Sequence, residues 1–361
     1  IYVPEYVLQN CDKLSTINLA SGVRRISAYA FGGCGNLKSF DFDRYKKLNQ
    51  IYGYSFQYTG LKELDLPDRI DTLYVGAFRY CKSLKRAKMP TGVDYVASNL
   101  FYGCDSLAEV VMHDGINRVN SEAFYGCKLL PTIELNDGIT AIGSSAFSGC
   151  SLLELPGNKL PASLTTVGSS AFYGCANLQL DAYPQGLQDI ESSAFRGCTA
   201  LTCGELPAGL KKLDSSAFES TGLASVVIPT GLTTLGTSVF ENCKSLVDVT
   251  WPTDKTKVPS YMFYGCNKLA DPNLPDVITE IDNLAFWNCN FKTFHFPKSL
   301  TTIGQQAFEY AYGLTEIELP LALRTIKDYA FRGTKLRHVE IPDSLVTLQS
   351  YVFENCDSLR S

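Results

Sequence analysis

A Phe followed, in most copies, by a Cys three residues later recurs along this chain at a nearly fixed interval. That interval constrains the fold more than any other feature. The anchors are Phe31, Phe56, Phe78, Phe101, Phe124, Phe147, Phe172, Phe195, Phe218, Phe240, Phe263, Phe286, Phe308, Phe331 and Phe353. Steps between them are 22 or 23 residues, with two steps of 25. A sixteenth, partial copy opens the chain, with Leu8 in the Phe slot and Cys11 in the Cys slot. Self-similarity of this period marks a solenoid, in which each unit covers its apolar surfaces against its neighbours. The 361 residues then reflect copy number. No Gly/Ser/Pro-rich linker breaks the register, so residues 1–361 read as a single repeat domain. Both ends carry partial repeats, and residues 1–11 read as the remnant of an N-terminal repeat or a cap.

Around each anchor the sequence runs L-x-x-[IV]-x-[LI]-P-x-x-[LIV]-x-x-[ILV]-x-x-x-A-F-x-[GN]-C. The copy from Leu314 through Ile317, Leu319, Pro320, Leu323, Ile326 and Ala330 to Phe331 is clean. The stretch before Pro alternates, which suits a strand of about five residues with one buried face. Pro removes a backbone donor and ends it, as at Pro67, Pro207 and Pro342. We expect this strand to form the longest ladder. A second short strand follows, carrying pairs such as Leu232/Leu235 and Leu300/Ile303. Three residues before the Phe stands Ser, Thr, Asn or Asp in eleven of fifteen copies, residue types that cap a helix. Two residues after it stands Gly or Asn, also in eleven of fifteen, types that accept a left-handed backbone. The spacing therefore predicts one short helical turn at each anchor. The register is weakest from Phe42 to Phe56, which lacks the Pro, and from Cys150 to Pro161, where the loop swells.

Twelve of the thirteen Cys occupy one repeat position. No C-x-x-C pair exists, so zinc chemistry has no ligand pattern. Parallel, in-register side chains are poor disulfide partners. Thr59, Thr221, Ala311 and Thr334 replace the Cys in four copies, all small residues. The position thus reads as a column of buried thiols acting as small apolar filler. Cys203 lies off the column, on a strand position expected to face outward, and is the candidate reactive thiol.

The three His (His113, His295 and His338) are too few and too scattered for a catalytic or metal site. No nucleophile elbow, metalloprotease helix or phosphate loop appears. We expect no catalytic residue, cofactor or metal. A net charge of −5 lacks the basic face a nucleic acid requires. No apolar run approaches the roughly 20 residues of a membrane helix. Paired Thr such as Thr165/Thr166, Thr233/Thr234 and Thr301/Thr302 recur only every third repeat, so no ice-binding Thr face exists. The candidate contact residues are aromatic. The position after the anchor holds Tyr102, Tyr125, Tyr173, Tyr264 and Trp287, and Tyr29, Tyr54, Tyr261, Tyr329 and Tyr351 precede the anchor by two. Tyr and Trp are favoured contact residues. The competing reading is that they pack together and cover the core edge.

The A-F-x-x-C piece, joined to the L-x-x-I-x-L-P stretch, closely resembles the BspA-like, or treponemal-type, class of leucine-rich repeats over essentially the whole chain. The resemblance implies a leucine-rich-repeat solenoid, mainly β, wound as a right-handed superhelix of about 15 repeats. It also implies a non-enzymatic protein, secreted or on a bacterial cell surface, that binds a protein or glycan partner. No N-x-[ST] sequon occurs, which agrees with a bacterial source. Two alternatives stand beside this reading. One is a cytoplasmic protein-interaction scaffold, where thiols stay reduced. The other is an accessory repeat domain of a larger chain, because the sequence opens and stops in mid-repeat. The residues upstream of Ile1 would discriminate, since a leader or lipid anchor there supports the surface reading.

Overall fold

The i, i+3 spacing of the apolar residues is realised as a chain of tight turns. In the computed structural model, which describes residues 1–361, each coil closes its corners with bonds from an amide to the carbonyl three residues back. At the Pro corner, Ile70 N–H donates to Pro67 (2.9 Å) and Leu323 N–H to Pro320 (3.0 Å). After the anchor, Cys34 N–H donates to Phe31 (3.1 Å) and Leu37 N–H to Cys34 (3.0 Å). The regular structure is otherwise short parallel strands, with a single three-residue 3-10 turn at Pro156–Asn158 in one swollen loop.

The fold is thus a parallel β-solenoid, as expected, but the helical turn is not formed. The reason lies in the backbone. Residues two before and two after each anchor adopt positive φ, for example Tyr29 (57°) and Gly33 (78°), or Ser238 (57°) and Asn242 (57°). A helix needs an unbroken right-handed run. Here the amides alternate in direction. Ala30, Gly32 and Cys34 bond within their own coil, whereas Tyr29, Phe31 and Gly33 donate to Gly53, Ser55 and Gln57 of the next (2.8–3.2 Å). Half the anchor amides therefore knit coil to coil, which a helix would have forbidden. Leu8 follows the same pattern, donating to Ala30 (3.0 Å), so the opening partial copy is a true coil. The polar residue three before the anchor does not cap. Asn283 Oδ1 and Asp328 Oδ1 accept instead from the Gln305 and Ser350 amides of the following coil (2.9 and 2.8 Å).

The molecule comprises two compact units, Ile1–Leu187 and Gln188–Ser361. In the first, the second strand builds the more persistent ladder. Tyr2–Val3, Arg25–Ile26, Gln50–Ile51 and Thr72–Leu73 pair in succession, as do Tyr95–Val96, Arg118–Val119, Ala141–Ile142 and Thr166–Val167. The strand before Pro pairs only over Glu63–Asp65, Arg86–Lys88 and Glu109–Val111, and through isolated bridges such as Thr132 to Glu154. In the second unit the ladder Lys257–Val258, Glu280–Ile281, Thr302–Ile303, Thr325–Ile326, Thr347–Leu348 again exceeds the single pair Ser225–Val227 with Asp248–Thr250. The expectation that the strand before Pro would form the longest ladder is therefore wrong. Pro ends that strand, and length changes fall beside it; the second strand lies between two corners of constant length.

Anchor rings form continuous stacks inside each unit. Phe124, Phe147 and Phe172 are fully buried, with successive centroids 5.2 and 5.4 Å apart and planes within 7°. The cysteines are buried beside them, and Cys34, Cys81, Cys104, Cys127, Cys150, Cys243, Cys266 and Cys289 are reduced. They are more than filler. Each sulfur in the series donates to the carbonyl of the preceding coil's anchor: Cys81 to Phe56, Cys104 to Phe78, Cys127 to Phe101, Cys266 to Phe240 (3.0–3.3 Å). Burial pushes the Cys81 thiol up to about 11 and Cys150 to about 12, so the donor proton is kept. Thr59 and Thr221 substitute by donating to their own anchor carbonyl (2.8 and 2.9 Å). Their copies replace the C-x-x-L turn with the tighter T-G-L. Gly60 is required there, because a Cβ on it would sit 2.2 Å from the Gly35 carbonyl oxygen.

Candidate interaction surface

The alternation that buries Ala, Phe and Cys leaves three positions around each anchor on the outer side of the corner. The position two before it forms one column, and the two positions after it form others. Tyr6, Tyr29 and Tyr54 stack along the first (5.0 and 5.1 Å). Tyr102 and Tyr125 stack along the second at 4.6 Å with planes 7° apart. Tyr264 and Trp287 do the same at 4.3 Å and 4°. Tyr125 and Tyr173 are exposed, whereas Tyr102, Tyr264 and Trp287 are half-buried. Of the five candidate contact residues, Tyr102 is thus brought to Tyr125, and Tyr264 to Trp287. Stacked rings cover one another's faces and present their edges and polar tips outward. These rings pack side by side along the core edge and keep part of their surface in solvent.

Charged residues complete the columns, and sequence reasoning missed them. Arg79 lies over Tyr80 (5.0 Å) and Tyr102 (4.4 Å), and Arg332 over Tyr310 (5.5 Å) and Tyr329 (4.5 Å). Such contacts are worth about 0.5–1 kcal/mol when exposed. Glu309, fully buried, receives the Arg332 guanidinium and the Trp287 indole N–H, the latter at 3.1 Å. Arg196 pairs with buried Glu219 at 2.9 Å. All of these Arg and Glu occupy the position after the anchor, as do Tyr102 and Trp287 among the rings they touch. Reading that one position down the copies would have found them; reading copy by copy did not. Burial raises the Tyr102 hydroxyl above its ordinary pKa, helped by the Tyr80 hydroxyl beside it, and raises Tyr264 likewise, next to Glu241. Both remain hydrogen-bond donors well into the alkaline range.

The remaining candidates have local partners. His295 pairs with Asp271 (2.5 Å), His338 with Ser361 (2.9 Å), and His113 with the Val93 carbonyl (3.0 Å). Cys203 is partly exposed, as is Cys11. No helix is long and apolar enough to cross a membrane. What the surface of each unit offers is a set of ring edges, hydroxyls, guanidinium groups and carboxylates.

Known proteins place this geometry. Comparison with curated proteins gives no match. Among solved structures, a leucine-rich repeat protein from Bacteroides ovatus is 24% identical, with a TM-score of 0.64, over 80% of this chain and 81% of its own. A leucine rich cell surface protein from Faecalibacterium prausnitzii is 25% identical over 82% and 77%, with a TM-score of 0.46. The T. pallidum leucine-rich repeat protein is 28% identical over 55% and 82%, with a TM-score of 0.41. The first shares the fold. The sequence itself matches the BspA type leucine-rich repeat region over residues 1–130, 117–247 and 233–360. With the coil register and the buried A-F-x-x-C turn in agreement, the chain belongs to the BspA-type leucine-rich repeat family.

Proposed function

We propose that the chain is a non-enzymatic recognition protein, secreted or displayed on a bacterial cell surface, that adheres to a protein or glycan through its outward aromatic columns. The observation that carries this reading is the Tyr264–Trp287 stack. It is half-exposed, locked ring on ring, and tied through the indole N–H to Glu309. Tyr, Trp and Arg dominate binding hot spots. A surface already held in place loses little freedom when a partner docks. Tyr102, Tyr125, Tyr173, Tyr264 and Trp287 are the proposed contact residues. Family membership supports a protein-interaction role and a surface location. The unbroken anchor register from Phe172 to Phe195, 23 residues, supports one repeat domain over residues 1–361.

The reduced thiols favour the cytoplasmic scaffold at first sight. Their burial weakens that preference, since a thiol shielded from solvent and kept protonated resists oxidation in any compartment. The test is a binding panel of extracellular matrix proteins and glycans, probed with the purified chain, beside a pull-down from cytoplasm. Saturable binding to one panel member is expected. Failure across the panel, with a strong cytoplasmic partner recovered, would overturn the surface reading.

A further inference from the structure

The strand before Pro breaks its ladder at one place where a cleft opens. Glu63–Asp65 is the edge of a three-stranded parallel sheet, paired to Arg86–Lys88 and through it to Glu109–Val111. Leu66 donates to Lys88, and Lys62 accepts from Lys85. Alternate residues of a strand bond to opposite sides, so Glu63 and Asp65 turn their backbone groups away from that sheet. On that side the preceding coil, 39–43, does not pair. It turns at Phe42, whose amide donates to Phe40 (3.1 Å), and Phe42 and Tyr45 drop into the core. A cleft of about 760 Å³ lies between 39–43 and 63–69, within the roughly 300–1,000 Å³ of ordinary ligand sites. It is held open. The Lys62 N–H to Lys38 bond (3.2 Å) closes one end, and Arg69 braces the other by donating to the Phe42 and Tyr45 carbonyls (2.7 and 3.1 Å) and pairing with Asp43 (2.9 Å).

Charge explains the break and names the occupant. By repeat register, Ser39 and Asp41 correspond to Glu63 and Asp65, then to Arg86 and Lys88, then to Glu109 and Val111. The paired rungs alternate in sign: Lys88 lies 3.9 Å from Asp65, and Arg86 lies 3.0 Å from Glu109. Asp41 against Asp65 would be a like-charge rung, which destabilises strand pairing. Asp43 and Asp68 add to the acidic lining; its cations are Arg69, already paired to Asp43, and Lys88. The floor is Phe40.

We propose that this cleft takes a short extended peptide segment of a partner protein, with Lys or Arg at alternate positions, as an added strand on the Glu63–Asp65 edge. Its backbone meets the open amides of Glu63 and Asp65. Its basic side chains, two residues apart, stand one beside Glu63 and the other between Asp41 and Asp65, and restore the alternation of sign. The mode is strand addition to a sheet edge. The proposal deepens the recognition reading and rests on it, but at a site separate from the aromatic columns.

The test uses the full chain and a fluorescein-labelled hexapeptide alternating Lys with Thr or Val. Saturable binding that weakens with salt is expected, with slowed hydrogen exchange at the Glu63 and Asp65 amides. The exposed double change Asp41→Asn with Asp65→Asn should weaken binding at least tenfold, while neutralising an exposed carboxylate outside the cleft, Glu134→Gln, leaves it unchanged. Absence of binding, equal binding of a Glu-for-Lys peptide, or unaltered exchange at Glu63 and Asp65 would overturn the proposal. If a macromolecular partner still binds the chain in that case, the strand-addition site fails alone and the broader reading stands. If the peptide binds and no macromolecular partner does, the broader reading is the one that fails.

Discussion

The buried thiol column makes this protein sensitive to base, and the size of the effect follows from the structure. Seven thiols, Cys81, Cys104, Cys127, Cys150, Cys243, Cys266 and Cys289, are fully buried, and burial raises every one above the ordinary value of 9.0. Cys81 and Cys243 reach about 11 and Cys150 about 12. A raised folded value means the native state holds protons that the unfolded chain has released. The column's contribution is therefore complete below pH 9.0 and is lost as pH rises from there towards 11 or 12. Each such thiol steepens the loss by about 1.4 kcal/mol per pH unit. At about pH 10, Cys81, Cys243 and Cys150 alone forfeit about 4 kcal/mol together, a large share of the stability of an ordinary domain, and the other buried thiols add in the same direction. Urea titrations at graded pH, under reducing conditions and followed by circular dichroism, should show stability collapsing over this range. The triple change Cys104→Ala, Cys127→Ala and Cys150→Ala lowers neutral stability by lost packing and lost donors, yet flattens the alkaline limb by about 4 kcal/mol per pH unit. Equal steepness in the two proteins would refute the reasoning. So would ultraviolet titration showing thiolates forming in the folded chain near their ordinary value.

Three further expectations follow from the coil. Phe147→Ala removes a ring packed between two others and should cost about 3–5 kcal/mol by urea denaturation; a loss below about 1 kcal/mol would mean that the stack does not hold the coils. Leu284 sits at φ 56° in the left-handed slot before its anchor, so Leu284→Asn should raise stability by about 0.5–1 kcal/mol, and a destabilised variant would deny that the slot is strained. Arg332→Ala strands the buried Glu309 carboxylate and should cost about 3–5 kcal/mol at neutral pH, with part of the loss recovered by adding Glu309→Gln; no recovery would place the cost elsewhere.

The repeat, its register and its buried positions were legible because period-three apolar spacing survives every copy. The corner it encodes was not. Ser three before the anchor and Gly two after it fit a capped helix as well as they fit two left-handed residues around a buried Phe. The difference is where the amides of residues such as Tyr29 and Phe31 point, and that is decided by the neighbouring coil. The same holds for the ladders: the strand before Pro is the more apolar and alternating, yet the second strand pairs more continuously because its flanking corners never change length. The Cys column was read correctly as buried thiols, but its role as donor to the preceding Phe carbonyl needs two coils to see. Arg79, Arg332 and Glu309 escaped notice because each is unremarkable in its own repeat and gains meaning only beside a ring in the next.

The account's central claim is that anchor turns hold the stack while the exposed residues around them recognise a partner. The most direct measurement is the affinity of the folded chain for the partner recovered from the binding panel, before and after Tyr264→Ala with Trp287→Ala. The account predicts at least a tenfold loss, about 1.4 kcal/mol, with the circular dichroism spectrum unchanged. Unchanged affinity in that variant, and in each of Tyr102→Ala, Tyr125→Ala and Tyr173→Ala, would contradict it.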